Sequence, residues 1–493
     1  MTRKVRPGRN TAAAIAGTLV LAGCAVGPSF RRPPPPPHAG YAVQPLPART
    51  ASAPVPDGQA QRLVQGMNLP GQWWALFHSP PLDAIVTAAL RANPTLQAAQ
   101  ASLREAQAEL HAGEGAWYPA VSAGASATRE RLSGNEFGQP GVSHVLTLKS
   151  ASLSVSYLLD PWGGTRRQVE SLAAQAEYQR FELEASYLTL TSSVVAAAVQ
   201  QASLRGEICA TRQIIRIEAR VLTGLERQFA IGTAANTAVL AQAAALAQTR
   251  AQLVPLQKQL ALSRDQLRAY LGRLPNTQLS ARFALSSLEL PRRLPVSLPS
   301  RLIEQRPDIR AAEAQLRAAS AQIGVATANM LPQISLSASL GSESLGRLFT
   351  SRTGVWSIAA GLAQPLFEGG TLYYRRRAAV AAFQLAAAQY RQTVISAFQS
   401  VADALRALEL DAEGLAAQSA AERAAAASLA ASRRQYTVGA ISYLSLLNAE
   451  QTYQQARLAL VQARAARFSD TAALFQALGG GWWNRRDVGE VSR

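Results

Sequence analysis

The chain has 493 residues, a formal net charge of +18, two cysteines and only 16% charged side chains. Four basic residues precede residue 24, which leaves about +14 on the rest, and the arginines recur at helical intervals along alanine-rich segments instead of clustering with aromatics; that spread argues against a nucleic-acid surface. The histidines His38, His78, His111 and His144 are scattered and no HExxH, GxSxG or P-loop spacing occurs, which argues against an enzyme.

Residues 1–23 read as an export signal. Arg3, Lys4, Arg6 and Arg9 precede an apolar run from Thr11 to Leu21 that is too short to cross a hydrocarbon core of about 30 Å. Leu21-Ala22-Gly23-Cys24 matches the bacterial lipobox, so Cys24 is expected to carry lipid as the new N-terminus; an ordinary secretory signal containing a cysteine is the alternative. Acyl chains, palmitate among them, contribute about 0.8 kcal/mol per buried methylene, so two or three make a lasting anchor. Ala25 follows instead of an aspartate, and resemblance to known bacterial lipoproteins then favours the outer membrane. With Cys24 lipidated, Cys209 has no disulfide partner in the chain and is expected to pack as a small apolar residue. Residues 24–59 are a lipidated N-terminus and tether, extended by Pro33 to Pro37.

The remainder repeats itself. "LRANPTLQAAQASLREAQ" from Leu90 matches "IEQRPDIRAAEAQLRAAS" from Ile303, with Pro94 and Pro119 at the places of Pro307 and Pro332. "FAIGTAA" around Gly232 matches "YTVGAIS" around Gly439. Residues 60–272 and 303–479 are therefore two tandem repeats, joined by 273–302 and followed by a tail, 480–493.

Each repeat changes its hydrophobic period in the same order. A helix with a narrow seam comes first, at Leu96, Ala99, Leu103, Ala106 and Leu110, and again at Ile309, Ala312, Leu316, Ala319 and Ile323. Period two follows, with Leu153, Val155, Tyr157 and Leu159 against serines, and Ile334, Leu336, Ala338 and Leu340 against serines. Two strands per repeat are expected, at 119–129 with 146–160 and 332–344 with 354–367. One apolar and one serine-rich face suits a transmembrane β-barrel, although a half-buried soluble sheet alternates in the same way. Four strands cannot close a barrel alone, so several chains must share one. Long helices come next, 166–229 and 375–436, the second with a seam through Val380, Phe383, Ala387, Tyr390 and Val394. Each ends in a glycine turn, at Gly232 or Gly439, before a returning helix of about forty residues. No apolar run after the signal reaches the length of a helical span.

The segments "WWALFHSPPLDAIVTAALRANP", "YLLDPWGGTRRQVESLA", "RLIEQRPDIRAAEAQLRAASAQIGVATANMLP", "PLFEGGTL" and "ALGGGW" resemble the TolC-like outer-membrane factors of tripartite efflux pumps, in the lipoprotein branch called the NodT type. Arg306, Pro307, Asp308, Ala312, Glu313, Ile323 and Gly324 carry the most specific part. The resemblance implies a mainly α fold with a small β part. It implies a homotrimer whose twelve strands, four per chain, close one barrel in the outer membrane and continue into a long periplasmic α-helical barrel. Residues 60–82, 273–302 and 479–493 would form an equatorial belt. The implied function is the passive exit duct of an efflux system, fed by a periplasmic membrane-fusion adaptor and an inner-membrane transporter of the resistance-nodulation-division class. A type I secretion exit channel is the alternative. A periplasmic adaptor is the rival lipoprotein class, but adaptors lack two homologous halves each interrupted by amphipathic strands. No cofactor is implied beyond the covalent lipid on Cys24, and no metal or nucleic acid.

In that family the helical turns form the periplasmic gate. The matching residues are Phe229 and Gly232 in the first repeat and Tyr436, Gly439, Leu444, Ser445 and Asn448 in the second. Related channels often carry aspartates three residues apart after the turn; here Ser445 and Asn448 stand there, and Ala238 and Ala241 in the first repeat, so an acidic ring is not expected.

Cys24→Ser is expected to abolish metabolic labelling with radioactive fatty acid and to leave an unprocessed precursor; a labelled variant would contradict the assignment.

Overall fold

The computed structural model describes residues 25–34, 40–41, 47–133, 143–279 and 281–485; the export signal, Cys24 and the end of the tail lie outside them. The elements in chain order are β1 (Arg62–Gln65), α1 (Pro80–Ala92), α2 (Pro94–Glu114), β2 (Ala120–Ser133), β3 (Ser143–Leu159), α3 (Gly164–Ala230), α4 (Asn236–Tyr270), β4 (Arg293–Val296), α5 (Pro299–Gln305), α6 (Pro307–Ala328), β5 (Gln333–Ser344), β6 (Gly354–Ala363), α7 (Thr371–Thr437) and α8 (Tyr443–Ala477). The fold is mostly helical with a small sheet. The duplication extends to the long-helix boundaries: α3 and α7 have 67 residues each, α4 and α8 have 35 each, and the boundaries of α3 and α4 recur 207 residues later in α7 and α8. Among the described residues no helix is long and apolar enough to cross a membrane.

The chain divides into two compact units. The first contains the N-terminal segment with Ser102–Gln179 and Ala311–Arg391. Its sheet runs in the order β2-β3-β5-β6, antiparallel throughout. The registers align side chains of one kind across all four strands. Val121, Val155, Ala338 and Ile358 lie in one row, and Ala123, Leu153, Leu340 and Trp356 in the next. Between them runs a polar row, Ser122, Ser154, Ser339 and Ser357, whose last two hydroxyls lie 2.8 Å apart. The apolar face is bare, with Ile358 78% and Leu362 70% exposed. The outer strands β2 and β6 each pair on one side only among the described residues. β6 stops at Ala363, short of the expected 367, because Pro365 cannot donate to a ladder and the Gln364 side chain turns to the Met330 carbonyl (3.1 Å).

Burial on α6 is wider than its predicted seam. Ala311, Ala314, Ala318 and Ala321 are buried as well as Leu316 and Ile323. The second cover is the N-terminal segment. Arg32 pairs with the buried Glu313 (3.0 Å), the Arg317 guanidinium lies over the Phe30 ring, and Arg167 donates to the Val26 carbonyl (3.2 Å). Gly324 accommodates this approach: a Cβ there would lie 2.9 Å from the Val26 oxygen. That contact explains a glycine the sequence motif only marked.

The second unit contains Pro34–Ala101, Arg180–Arg310 and Gln392–Arg493. Its core is aromatic: Phe77 packs on Phe468 and Phe475 with centroids 6.2 Å apart in both cases, and Trp73 on Phe475 at 5.7 Å. The three expected belt segments meet here. β1 pairs in parallel with β4, and the Asn484 side-chain amide donates to the Leu69 carbonyl (2.6 Å). Arg467, buried on α8, donates to the carbonyls of Asp57 (2.9 Å) and Gln59 (3.0 Å) and to the Gln61 side chain (2.9 Å). Arg306 of the family-specific motif chelates Asp308 (2.7 Å) and caps the Ala477 carbonyl at the end of α8 (2.9 Å). One expectation is corrected. Cys209 does not pack into the interior; it is exposed, because the helix turns its neighbours Ile208 and Ala210 inward and carries Cys209 to the opposite side.

Candidate functional site

The two turns share one backbone device. At the end of α3 the Gly232 N–H donates to the Phe229 carbonyl (2.9 Å) and the Thr233 N–H to the Gln228 carbonyl (2.8 Å). At the end of α7 the Gly439 N–H donates to Tyr436 (3.0 Å) and the Ala440 N–H to Gln435 (2.8 Å). Both are Schellman caps, and both glycines have positive φ, +75° and +77°, the region that disfavours a side chain. Phe229 and Tyr436 therefore occupy the same capping position in the two repeats. The returning helices start differently. Ser442 caps α8 by accepting from the Ser445 N–H, whereas Ala235 supplies α4 with no side-chain cap.

The turns pack together in the second unit. Leu225, Leu429, Tyr443, Leu446 and Leu447 form a buried cluster, with Val221, Val239 and Tyr436 against it. The Tyr436 and Tyr443 rings meet edge to face at 5.7 Å. Beneath them runs a polar chain through three helices. The Tyr443 hydroxyl donates to the Gln242 side-chain oxygen, the Gln242 amide donates to the Glu218 carbonyl (3.0 Å), and the Glu218 carboxylate accepts from Gln454 (2.8 Å) and Thr249 (3.0 Å). Glu218 is 1% and Glu450 3% exposed, and each has one carboxylate oxygen buried without a hydrogen-bond partner. Burial pushes the Glu218 carboxyl above its ordinary value; the bonds from Gln454 and Thr249 oppose this, and the nearby Glu450 adds to it. Burial likewise raises the Tyr443 phenol, which keeps it a neutral donor.

The structure separates the predicted residues into two groups. Tyr436 is half-buried against Tyr443, and Ser445 is engaged at the cap, its hydroxyl 3.0 Å from that of Ser442. Leu444 is 61% exposed; Asn448, one turn on, shares its face and is exposed too, as is Phe229. The motif comparison misses Glu218, Gln242 and Tyr443, which bind the hairpins to each other, and Glu450, which pairs with Arg433 (3.1 Å) within the second hairpin. Only the cap carries a local signal, a serine directly before the apolar start of α8. Among the described residues no group of three or more acidic, histidine or cysteine side chains could hold a metal ion.

Residues 85–273 and 298–480 match the family described as outer membrane efflux protein. The pyoverdine export outer membrane protein OpmQ of Pseudomonas aeruginosa is 34% identical over 84% of this chain and 88% of its own length. The cation efflux system protein CusC of Escherichia coli O6:H1 is 28% identical over 94% of this chain and 97% of its own. Among solved structures the outer-membrane channel OprN superposes with a TM-score of 0.82 at 29% identity, covering 93% of this chain and 100% of that one.

Because folding raises the Glu218 pKa, its contribution to tip stability is complete at acid pH and is lost as pH rises through the raised value. Glu218→Gln keeps an acceptor for Gln454 and Thr249 and removes the ionisation. As pH rises above the ordinary carboxylate range, amide exchange around 218–250 and 443–454, corrected for intrinsic rate, is expected to accelerate in the native protein and to stay flat in the variant. A pH-independent native tip would contradict the burial argument.

Proposed function

Since the chain belongs to the outer membrane efflux protein family, we propose that three copies of it form a passive exit duct, lipid-anchored at Cys24, helices in the periplasm, fed by a membrane-fusion adaptor and a transporter of the resistance-nodulation-division class. One observation carries this reading. The sheet has a continuous apolar face and open edges at β2 and β6, and lipid tolerates strands only in closed barrels. Three copies would place β6 of each beside β2 of the next and close twelve strands.

The N-terminal segment supports the anchor. The Val26 N–H donates to the Trp162 carbonyl (2.9 Å), and a Cβ on Gly163 would lie 2.8 Å from the Ala25 Cα. Ala25 and Val26, which directly follow the proposed lipid site in sequence, thus lie at the turn between β3 and α3. Cargo selection belongs to the transporter: OpmQ is named for pyoverdine and CusC for a cation, so one duct architecture serves chemically unrelated cargo.

At the tip, closure rests on Leu444, with Tyr436 bracing the start of α8 behind it. Contact between apolar side chains across a threefold axis is not screened by salt, and Asn448 offers amides where a ring of carboxylates would attract divalent cations. In planar bilayers the purified protein should conduct, and millimolar divalent cations on the tip side should change that little. Asn448→Asp should introduce block and Leu444→Ala should raise the open fraction. Strong divalent block of the native channel would overturn this gate, and absence of any conductance would overturn the duct.

A further inference from the structure

A cavity of about 500 Å³ lies in the second unit, where α3, α7 and α8 meet the start of α6. Its walls are apolar and mostly short: Leu188 of α3, Ala404 and Ala407 of α7, Ala473 and Ala477 of α8. Alanines at these helical spacings leave the space open. A cleft of this size, with apolar walls and a few converging polar groups, has the form of a small-molecule site.

The charges around it are unbalanced. Arg306 enters beside Asp308, but its guanidinium is already engaged by both Asp308 oxygens (3.0 and 2.7 Å) and by the Ala477 carbonyl (2.9 Å). Asp403 of α7 and Asp470 of α8 line the same space, and among the described residues neither forms an ion pair. One Asp470 oxygen is buried with no hydrogen-bond partner. Asp411, two turns along α7 from Asp403, is close enough to share a hydrogen bond with Asp470. Arg467, one turn earlier on α8, directs its guanidinium to the Asp57 and Gln59 carbonyls and the Gln61 side chain instead. Burial and the neighbouring Asp411 push the Asp470 carboxyl up to about 8, against the opposing charge of Arg467. Near neutrality Asp470 therefore keeps a proton.

We propose that this cavity binds an organic cation, a compact apolar body carrying an ammonium or amidinium group, whose N–H donates to the unpartnered Asp470 oxygen while the body lies on Leu188 and the alanines. Asp403 adds a second carboxylate. A bare metal ion would leave the apolar walls without a role, and an anion would meet two carboxylates with Arg306 already engaged. Binding replaces a proton: Asp470 releases its proton to solvent, and the carboxylate so formed accepts from the ligand. The site lies within one chain and is independent of how many copies assemble.

Benzamidine tests this, because its amidinium, like the arginine guanidinium, keeps its charge at every pH used. Titration calorimetry of the detergent-purified chain should detect its binding, with the neutral isostere benzamide weaker by about tenfold or more. Below the raised Asp470 value, affinity should fall about tenfold per pH unit, with one proton released per benzamidine bound. Above that value Asp470→Asn should weaken binding by about tenfold, and it should remove the proton release. Ala473→Leu fills the cavity and leaves every charge in place, so it should abolish binding while circular dichroism shows the native helix content. Equal binding of benzamidine and benzamide, or a folded Ala473→Leu variant that binds as the native chain does, would overturn the site. Binding without proton release would overturn the role of Asp470. No benzamidine binding at millimolar concentration would overturn the proposal outright.

Discussion

An unpaired strand edge in hydrocarbon leaves backbone N–H and C=O groups with no partner, at a cost of several kcal/mol each. In this chain the constraint falls on the outer edges of β2 and β6. The registers are strict enough that a slip of one residue would exchange the apolar rows for the serine rows, so the faces cannot be rearranged to hide the edges. Further copies are the remaining source of partners. The proposed trimer meets this requirement by treating the single chain as one sector of a ring.

Duplication accounts for how one chain supplies such a sector, and divergence accounts for what the two halves do differently. The lengths of the long helices and the glycine turns that end α3 and α7 coincide between the repeats, and Val194 and Val401, at equivalent places, are both fully buried. Side chains that reach between helices have diverged. The first repeat presents Glu207, Gln213 and Glu218 to its sister, and the second presents Gly414, Ala420 and Ala425 at the same stations. At the tips Ser442 caps α8 while Ala235 leaves α4 uncapped.

Periodic features are legible in the sequence because they depend on spacing alone. The seam through Tyr390 and Val394, the alternation of Leu153 with serines, and the turns at Gly232 and Gly439 all appear where their spacing puts them. Features that depend on a second segment are not legible. Burial around α6 spreads beyond its seam because residues 25–34 cover it, a contact without any period. Glu218 resembles a surface acid of an alanine-rich helix until α3, α4 and α8 converge on it, and Glu450 does so until Arg433 of α7 reaches it. Cys209 shows the opposite failure, since composition favours burial and helical phase overrides it.

The strand edges are tested most directly by the mass of the purified protein in mild detergent, measured by native mass spectrometry. A particle of three chains is expected, with no stable monomer that retains strand content. A stable, folded monomer would contradict the requirement, since four strands would then have to satisfy their own edges.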